Sequence, residues 1–349
     1  MRILITGNLG YIGTELTKYF KLKLNKSYLI GVDNNYFSNK LISTKENPNI
    51  YVDHQYNIDI RDIKSHHFKN VDAVIHLAAI SNDPIGNKFE TLTNQINFKE
   101  SIKIAKLCIK NNVKKFVFAS SCSVYGLNDI SSKNENDALN PLTAYAKSKI
   151  NTEMYLKKNL SNKGTAITCL RFATACGYSD RIRLDLVLND FVCDAFLTKK
   201  INIMSDGLPW RPIIDVIDMC RAINWGVDRK SNSNFLTVNV GSQRCNVQIK
   251  NLAEIVKKTI GNCEINIHGK NKSDKRSYKV NFSLFNKLAK QYKPKISIRK
   301  SIENILDGLE RYSFKNNFIK EDFIRLKNLE MLINKSKIDK SLRWRILNK

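Results

Sequence analysis

The sequence of 349 residues lacks any long hydrophobic run, since no stretch approaches the ~20 apolar residues that cross a bilayer. Its start, MRILITGNLG, does not have the form of a signal peptide, because glycines follow a very short apolar run. The 8 cysteines are scattered, without a C-x-x-C pair or clustered histidines, so neither a disulfide framework nor a metal site is expected. We therefore predict a soluble, cytoplasmic protein with no membrane partner.

Acidic residues are few: 32 Asp and Glu accompany 58 Lys and Arg, giving a formal net charge of +26. Such a charge is typical of nucleic-acid binders. However, no basic stripe interleaved with aromatics and no nucleic-acid module motif is present, and Lys, Asn and Ile are abundant throughout. We therefore attribute the charge to a general compositional lean and predict no nucleic-acid partner. The field should favour anionic ligands such as dinucleotides and nucleotide-sugars.

Short apolar runs alternate with helical patterns in the first half, which predicts an α/β fold with a Rossmann-type doubly wound parallel sheet. We expect a smaller, mostly helical C-terminal substrate lobe at the carboxyl edge of the sheet. Residues 1–172 form the predicted dinucleotide-binding domain, residues 213–245 return to it, and residues 173–212 and 246–349 form the lobe. Periodicity predicts strands over residues 2–6, 29–32, 50–56, 73–77, 115–119, 165–170, 201–204 and 235–240, helices over 10–22, 94–110, 145–160, 184–199, 215–226 and 248–260, and a turn over 207–212.

The segment TGNLGYIG is a G-x-x-G-x-x-G loop that directly follows a predicted strand and opens a predicted helix. Its glycines let backbone N–H groups approach a pyrophosphate, and the helix N-terminus adds positive potential. Asp33, at the end of the next strand, can accept hydrogen bonds from the adenosine ribose and would repel a 2′-phosphate. The sequence therefore predicts NAD rather than NADP. The predicted contacts here are Gly7, Gly10, Tyr11, Ile12, Gly13 and Asp33.

Tyr145 and Lys149 form a Y-x-x-x-K pair, and their spacing puts both on one face of a helix. An ammonium group beside the phenol is expected to lower the pKa of Tyr145 and make it a usable base near neutral pH. The hydroxyl-rich turn SSCSVYG precedes the pair at the same predicted sheet edge and can hold a substrate hydroxyl. These residues favour redox chemistry on an alcohol.

With these motifs the chain resembles the extended short-chain dehydrogenase/reductases of the NAD-dependent epimerase/dehydratase family, which act on nucleotide-sugars. The resemblance covers nearly the whole chain. It rests on TGNLGYIG, Asp33, Asp59-Ile60, HLAA at 76–79, Asn97, SSCSVYG, YAKSK, LRF at 170–172, WRP at 210–212 and KRSY at 275–278.

The resemblance implies that Ser121 hydrogen-bonds the reacting sugar oxygen, that Tyr145 is the acid/base, and that Lys149 binds the nicotinamide ribose and tunes Tyr145. It implies NAD contacts by Asp59, Ile60, Leu77, Ala78, Ala79, Asn97, Tyr145, Lys149 and Phe172. The implied substrate contacts are Ser121, Cys122, Ser123, Thr174 and Asn189, together with Arg211 and Arg276, whose planar forks suit a diphosphate.

The departures from the family pattern bear on the reaction. Family 4,6-dehydratases have an Asp-Glu pair after the catalytic hydroxyl residue, whereas Cys122 and Ser123 offer no carboxylate, so dehydration is not expected. Thr174 replaces a common Asn, and Asp215 stands where a His is common.

The leading hypothesis is a nucleotide-sugar epimerase, acting at C4 through a transient keto-sugar. One alternative is a one-way nucleotide-sugar oxidase or ketoreductase, and another is a non-catalytic NAD- or nucleic-acid-binding protein. An oxidoreductase acting on a small alcohol is also open. Residues 89–112 and 143–160 resemble the helices of the family's dimer interface, which predicts a homodimer.

Overall fold

The fold consists of parallel strands linked by helices, as described by a computed structural model for residues 1–24, 27–42, 47–230, 233–269, 276–311 and 320–345. Lys275, the first residue of the KRSY motif, lies outside the described residues. The strands are β1 (Arg2–Thr6), β2 (Tyr28–Asp33), β3 (His54–Asn57), β4 (Ala73–His76), β5 (Lys115–Ser121), β6 (Leu127–Lys133), β7 (Ala166–Phe172), β8 (Thr174–Cys176), β9 (Lys200–Ile203), β10 (Trp210–Asp215), β11 (Phe235–Val240), β12 (Asn246–Gln248), β13 (Glu264–Ile267) and β14 (Ser277–Val280).

Helices connect these strands and form most of the C-terminal part. They are α1 (Tyr11–Leu24), α2 (Asp83–Lys88), α3 (Glu90–Thr93), α4 (Glu100–Lys110), α5 (Ala144–Tyr155), α6 (Val187–Thr198), α7 (Val216–Asp228), α8 (Ile249–Ile260), α9 (Ser283–Leu288), α10 (Ile298–Arg311) and α11 (Arg325–Asn334). One-turn π-helical segments, Asn94–Lys99 and Leu156–Leu160, precede α4 and follow α5.

A seven-stranded sheet with the order β11-β7-β5-β4-β1-β2-β3 forms the centre, and each neighbouring pair in it is parallel. Its strands are almost continuously apolar, as expected for a sheet covered on both faces. One cluster of buried side chains packs on each face. The predicted α/β fold with a doubly wound parallel sheet is confirmed.

A third apolar cluster joins α6, α8 and α10 with the short strands β9 and β10. These elements lie outside residues 1–172, and β11 returns to the central sheet beside β7. The division of the chain into a dinucleotide-binding domain and a substrate lobe remains a prediction.

Two predictions of local structure were wrong. Residues 210–212 belong to β10, which pairs with β8 and β12, rather than to a turn. Pro212 is tolerated because it lies at the end of the ladder with β12 and just before the first pair with β8, where a missing N–H costs little. The strand predicted over residues 50–56 is shorter, since Pro48 and its Asn47 cap start a 3₁₀ turn that delays β3 to His54.

Candidate active site

A pocket lies at the carboxyl ends of β1, β2 and β4. The strand order reverses between β1 and β4, and ligands of open α/β sheets bind at such a switch point. The pocket wall brings together predicted dinucleotide contacts from distant parts of the sequence. They are Gly7, Gly10, Tyr11, Ile12, Gly13, Asp33, Asp59, Ile60, Leu77, Ala78 and Ala79.

The glycine loop lies between β1 and the start of α1 and leaves no room for side chains. Gly7 has a φ of 76°, and a Cβ there would lie 2.7 Å from the backbone nitrogen of Ala78. A Cβ on Gly13 would lie 2.3 Å from the carbonyl oxygen of Gly7. The loop is therefore held tightly against the next strand end, and it offers backbone and a helix N-terminus to the pocket. This arrangement fits a dinucleotide diphosphate.

Asp33 ends β2 at the pocket wall. Its carboxylate accepts hydrogen bonds from the backbone N–H of Leu9 at 3.1 Å and of Asn35 at 2.9 Å. Burial raises the pKa of Asp33, although these hydrogen bonds and nearby arginines oppose the shift. The carboxylate is thus fixed in place as an acceptor, in the position expected beside an adenosine ribose.

Asp59 and Ile60 lie at the far end of the pocket. Asp59 caps a 3₁₀ turn through the backbone N–H of Arg61 and forms an ion pair with the Arg61 guanidinium at 2.6 Å. The pKa of Asp59 is lowered, because hydrogen bonds from Arg61 outweigh the effect of burial. The carboxylate of Asp59 is therefore occupied within the protein, while Ile60 presents an apolar surface that suits an adenine ring.

Two predicted cofactor contacts need correction, because the structure places them behind the pocket wall. The Asn97 amide accepts from Ile80 N–H at 2.7 Å and donates to the Ile80 carbonyl at 2.9 Å, so it positions a wall residue. Phe172 is 4% exposed and packs in the core on one face of the sheet. Asn97 therefore positions Ile80 of the pocket wall, and Phe172 anchors the end of β7 in the core.

The three predicted catalytic residues lie close together, near Arg183 of the pocket wall. Thr143 caps α5, and the helix then carries Tyr145 and Lys149 on one face. Lys149 Nζ lies 5.5 Å from the centre of the Tyr145 ring and donates to the Ala119 carbonyl at 2.7 Å. Ser121 ends β5 and lies close enough to the Tyr145 phenol to favour its charged form, and its Oγ accepts a hydrogen bond from the Ser123 N–H at 3.1 Å. The geometry is that of a phenol placed to exchange a proton with a bound alcohol.

The expected lowering of the Tyr145 pKa was wrong for the protein without ligands. Burial raises the pKa of Tyr145 well above its usual value, and the carboxylate of Asp83 raises it further. Only the Arg183 guanidinium and the Ser121 side chain act in the opposite direction among the leading influences. Desolvation of a phenolate therefore exceeds any gain from the nearby ammonium group.

Lys149 is itself affected by burial, which lowers its pKa to about 8. Glu153, one helical turn further along α5, partly opposes this shift. Glu153 forms a buried ion pair with Arg171 at 2.7 Å and accepts a hydrogen bond from Ser120. This pair fixes α5 against β5 and β7 below the predicted catalytic residues.

In the turn after Ser121, the Ser123 hydroxyl and the Cys122 thiol differ in whether they have a hydrogen-bond partner. Ser123 is 4% exposed, and its Oγ has no hydrogen-bond partner among the described residues. The Cys122 thiol donates to the Arg171 carbonyl at 3.1 Å and is buried in the core. The prediction of a substrate contact therefore needs correction for Cys122, whose side chain points away from the pocket.

Arg183 is a site residue that sequence reasoning did not single out. It lines the pocket, forms an ion pair with Asp185 at 2.8 Å and donates to Ser81 Oγ at 3.0 Å. Asp185 also accepts from Asn82 Nδ2 at 2.6 Å. These contacts connect the loop after β4 to the segment before α6. The R-x-D spacing could have indicated the ion pair between Arg183 and Asp185. The contact of Arg183 with Ser81 could not be predicted, because Ser81 is about 100 residues away in sequence.

The two predicted diphosphate arginines lie next to each other. The Arg211 guanidinium donates to the carbonyl oxygens of Trp210 and Arg276, and it lies 5.6 Å from the centre of the Tyr278 ring. Arg276 forms an ion pair with Asp83, which also accepts a hydrogen bond from Thr143. Both arginines are thereby held near the start of α5.

The remaining predicted substrate contacts differ in exposure. Asn189 is fully buried, and its amide binds the backbone of Gly177 and Arg183, so it positions the pocket wall and does not face it. Thr174 starts β8, is partly buried and pairs with Ile213 of β10. The prediction of a direct substrate contact therefore needs correction for Asn189.

Part of the pocket wall comes from residues 320–345, here named the C-terminal segment. Arg61 donates to the carbonyls of Ser341 and Leu342 at 2.8 and 2.9 Å, and Trp344 Nε1 donates to the Asn34 carbonyl at 2.5 Å. The sequence predicted that this segment belongs to a mostly helical lobe, but it predicted no site residue in the segment. The wall residues that it missed are Asn34, Tyr36, Phe37, Ile80, Ser81, Ile85, Ile96, Ala175, Arg183, Arg325, Leu329 and Leu342.

The described part of the chain contains no group of three or more Cys, His, Asp or Glu side chains arranged to hold a metal. Within the same residues, every helix is too short or too polar to cross a bilayer.

Comparison with known proteins identifies relatives along most of the chain. The model of the NAD dependent epimerase/dehydratase family matches residues 3–241. A UDP-glucose epimerase named YtcB from Bacillus subtilis, itself uncharacterized, is 30% identical over 252 residues, which are 69% of this chain and 77% of the relative. A putative UDP-glucose 4-epimerase from Methanocaldococcus jannaschii is 27% identical over 88% of this chain and 98% of its own length.

Solved structures share the fold. A UDP-glucose 4-epimerase from Thermotoga maritima, determined with UDP-glucose, has a TM-score of 0.78 and 26% identity, covering 89% of this chain and 99% of its own. A UDP-glucuronic acid 4-epimerase from Bacillus cereus, determined with UDP-glucuronic acid and NAD, has a TM-score of 0.75 and 22% identity over the same shares.

Proposed function

Because the chain belongs to the NAD-dependent epimerase/dehydratase family, we propose that it inverts one carbon, C4, of a nucleotide-sugar through a transient keto-sugar. The cofactor of the family is NAD. When bound, NAD accepts a hydride from the sugar carbon and returns it. The observation that carries the proposal is the position of Lys149 Nζ 5.5 Å from the centre of the Tyr145 ring, with Ser121 and the pocket-lining Arg183 close enough to favour the phenolate.

Tyr145 carries the proton in the proposed reaction. Its oxygen, in the phenolate form, takes the hydroxyl proton while the sugar carbon gives its hydride to the cofactor, so the C–O single bond becomes a carbonyl and Tyr145 becomes a neutral phenol. In the second half, the hydride returns to the opposite face of that carbon, and Tyr145 gives the proton back to the oxygen. No net oxidant is consumed. Ser121 holds the sugar oxygen next to Tyr145 in both halves.

The cations around Tyr145 assist this proton transfer. The Arg183 guanidinium favours the phenolate, and Lys149 is a cation below about pH 8 because its pKa is lowered to about 8. Their combined effect is needed because burial disfavours the phenolate. Lys149 also lies close enough to the phenol to orient it, since its Nζ is fixed by the Ala119 carbonyl.

Two features favour an epimerase over the other reactions of such a site. Cys122 and Ser123 follow Ser121, so no carboxylate stands where dehydratases need one. In addition, the C-terminal segment covers part of the dinucleotide pocket. A one-way oxidase must exchange its cofactor in every cycle, whereas an epimerase regenerates NAD in place.

The test is to incubate the purified protein with UDP-, GDP-, CDP- and dTDP-sugars in D₂O and to follow each sugar by NMR. We expect one sugar to equilibrate with its C4 epimer without solvent deuterium at C4, because the hydride comes from the sugar itself. Absorbance at ~340 nm should show no net change, since NAD is regenerated. Steady NADH formation would instead identify a one-way oxidase.

The matched variants are Tyr145→Phe and Tyr155→Phe, both on α5. Loss of the Tyr145 hydroxyl should slow turnover by about 10²–10⁴-fold, the usual contribution of a general acid/base. Tyr155 packs against Phe98, away from the pocket, and its variant should keep normal turnover. If no sugar changes, or if both variants behave like the unmodified protein, the proposal is wrong.

We also propose that the enzyme is a cytoplasmic homodimer that supplies sugars for polysaccharide biosynthesis. The free state of all eight cysteines is consistent with a reducing compartment. The proposed interface consists of α4 and α5 with the π-helical turns next to them.

A further inference from the structure

Arg325, the first residue of α11, has a guanidinium group that is buried in the dinucleotide pocket without a full set of partners. The residue is 2% exposed and lines the pocket. Its Nη2 donates to the Arg181 carbonyl at 3.1 Å, and its guanidinium lies 4.1 Å from the centre of the Phe37 ring. Its Nη1 has no hydrogen-bond partner among the described residues. A buried cationic donor without an acceptor is unfavourable and indicates that a ligand completes it.

Positive charge is in excess around Arg325, since three arginines, Arg181, Arg183 and Arg325, face two carboxylates, Asp33 and Asp185. Arg181 and Arg183 lie close enough to Arg325 to lower its pKa. Of the three arginines, only Arg183 forms an ion pair within the described residues, and its partner is Asp185. Arg181 donates to Thr14 Oγ1 and to the Ser38 carbonyl, which are neutral groups. Burial and the other two arginines lower the pKa of Arg325 to about 9. An anionic ligand in the pocket would remove this imbalance.

The position of Arg325 indicates which part of a dinucleotide it would meet. On one side it interacts electrostatically with Asp33, which marks the adenosine ribose end of the pocket. On the other side it interacts with Arg183 and Asp185, and Arg183 in turn acts on Tyr145 at the reactive end. The diphosphate lies between the two riboses of a dinucleotide. Arg325 and the glycine loop line the same pocket, and Arg325 interacts with groups at both of its ends, which fits the place of the diphosphate.

We propose that Arg325 binds the diphosphate of NAD and so makes the C-terminal segment a part of the cofactor site. A guanidinium fork suits this task because it can donate to two phosphate oxygens at once. Arg325 lies beyond residues 3–241, to which the family model matches, so the family pattern does not assign this contact. The glycine loop binds the diphosphate from one side, and Arg325 closes it from the other.

The test measures binding and does not depend on which sugar is converted. Calorimetry gives the affinity of Arg325→Met for NAD and for ADP-ribose, and NMR titration gives its affinity for adenosine. We expect about 10- to 100-fold weaker binding of NAD and ADP-ribose, the effect of losing a hydrogen-bonded charge, and unchanged binding of adenosine. Arg325→Lys, which keeps the charge without the fork, should lose less.

The matched control is Arg343→Met, because Arg343 lies in the same C-terminal segment but pairs with Asp62 at the surface. This variant should bind all three ligands as the unmodified protein does. Thermal unfolding supplies a second readout. Without NAD, Arg325→Met should be at least as stable as the unmodified protein, since it removes a buried cation that lacks an acceptor. With NAD, the stabilisation by the ligand should be smaller.

Three results would overturn the proposal. One is unchanged affinity of Arg325→Met for NAD and ADP-ribose. Another is an equal loss for adenosine, which would indicate a purely structural role. The third is a selective loss of NADP binding with NAD unaffected, which would assign Arg325 to a 2′-phosphate.

Discussion

At the carboxyl end of β5, two serines three positions apart have hydroxyl groups in opposite situations. Ser120 donates a hydrogen bond to the buried carboxylate of Glu153, which also pairs with Arg171. Ser123 is equally buried, but its hydroxyl has no partner among the described residues. The Ser120 hydroxyl satisfies a buried carboxylate within the protein, whereas the Ser123 hydroxyl is available to a ligand.

The same substitution at these two serines should therefore have different effects. Ser120→Ala should lower the free energy of unfolding by about 1–3 kcal/mol, because it leaves the Glu153 carboxylate short of a donor. Ser123→Ala should leave stability nearly unchanged but raise KM for the nucleotide-sugar by about 5-fold, the value of one hydrogen bond. Urea denaturation and steady-state kinetics measure the two effects. A stability loss at Ser123 that matches the loss at Ser120 would contradict this assignment.

At the same scale, local spacing predicted which side chains become neighbours, while their catalytic roles remain a proposal. Tyr145 and Lys149 were predictable because their spacing on one helix brings them together whatever the rest of the chain does. Arg183 and Arg325 were not, because their roles depend on contacts with Ser81 and with Arg181 across the fold. The sequence also could not predict that Cys122 is buried, since consecutive residues after a strand can face either the core or the pocket.

At the scale of elements, the C-terminal segment is bound to the pocket by both apolar and polar contacts. Leu342 is fully buried beside the pocket, and its carbonyl accepts hydrogen bonds from Arg61 and Tyr36. Tyr36 also contacts the Trp344 ring, with ring centres 5.8 Å apart. We therefore expect that NAD bound in this pocket is released only when part of this segment moves.

Loosening the segment should accelerate release of NAD. Leu342→Ala removes a buried side chain, which typically costs 2–5 kcal/mol. Because Leu342 packs the C-terminal segment against the pocket, its removal should weaken the attachment of the segment. We therefore expect the NAD dissociation rate in a stopped-flow displacement assay to rise by about 10-fold or more. Leu309→Ala is the control, since Leu309 is equally buried but belongs to the third apolar cluster, away from the pocket. Equal rates for the two variants would show that the segment does not retain the cofactor.

Elements were predictable where apolar periodicity is strong and uninterrupted. β11 begins and ends where the sequence predicts, because its alternation is bounded by polar turns. β10 was missed because Trp210 and Pro212 follow the turn residues Gly207 and Pro209, and its pairing with β8 and β12 is a tertiary contact. The docking of α11 on the pocket could not be predicted, since an amphipathic helix does not reveal its partner.

At the scale of the whole molecule, the excess of positive charge bears on assembly. The proposed dimer interface includes a groove on α4 and the turn before it, where Ile102 and Leu107 are surrounded by lysines. On α5, Met154 is 63% exposed, which is unusual for a large apolar side chain. The apolar side chains would favour contact with a second copy of the chain, whereas the surrounding lysines would repel the lysines of that copy.

This balance predicts a homodimer that strengthens with salt. We expect light scattering to give twice the chain mass of 40.1 kDa, with dimerisation favoured as ionic strength rises from about 0.05 to about 0.5 M, because salt screens the lysines more than it weakens apolar contact. Met154→Glu should shift the equilibrium to monomer by placing a charge in the apolar centre. Met204→Glu, at a site that is 56% exposed after β9, should not. A chain that stays monomeric at both salt concentrations, or that dissociates equally with either variant, would place the interface elsewhere or exclude it.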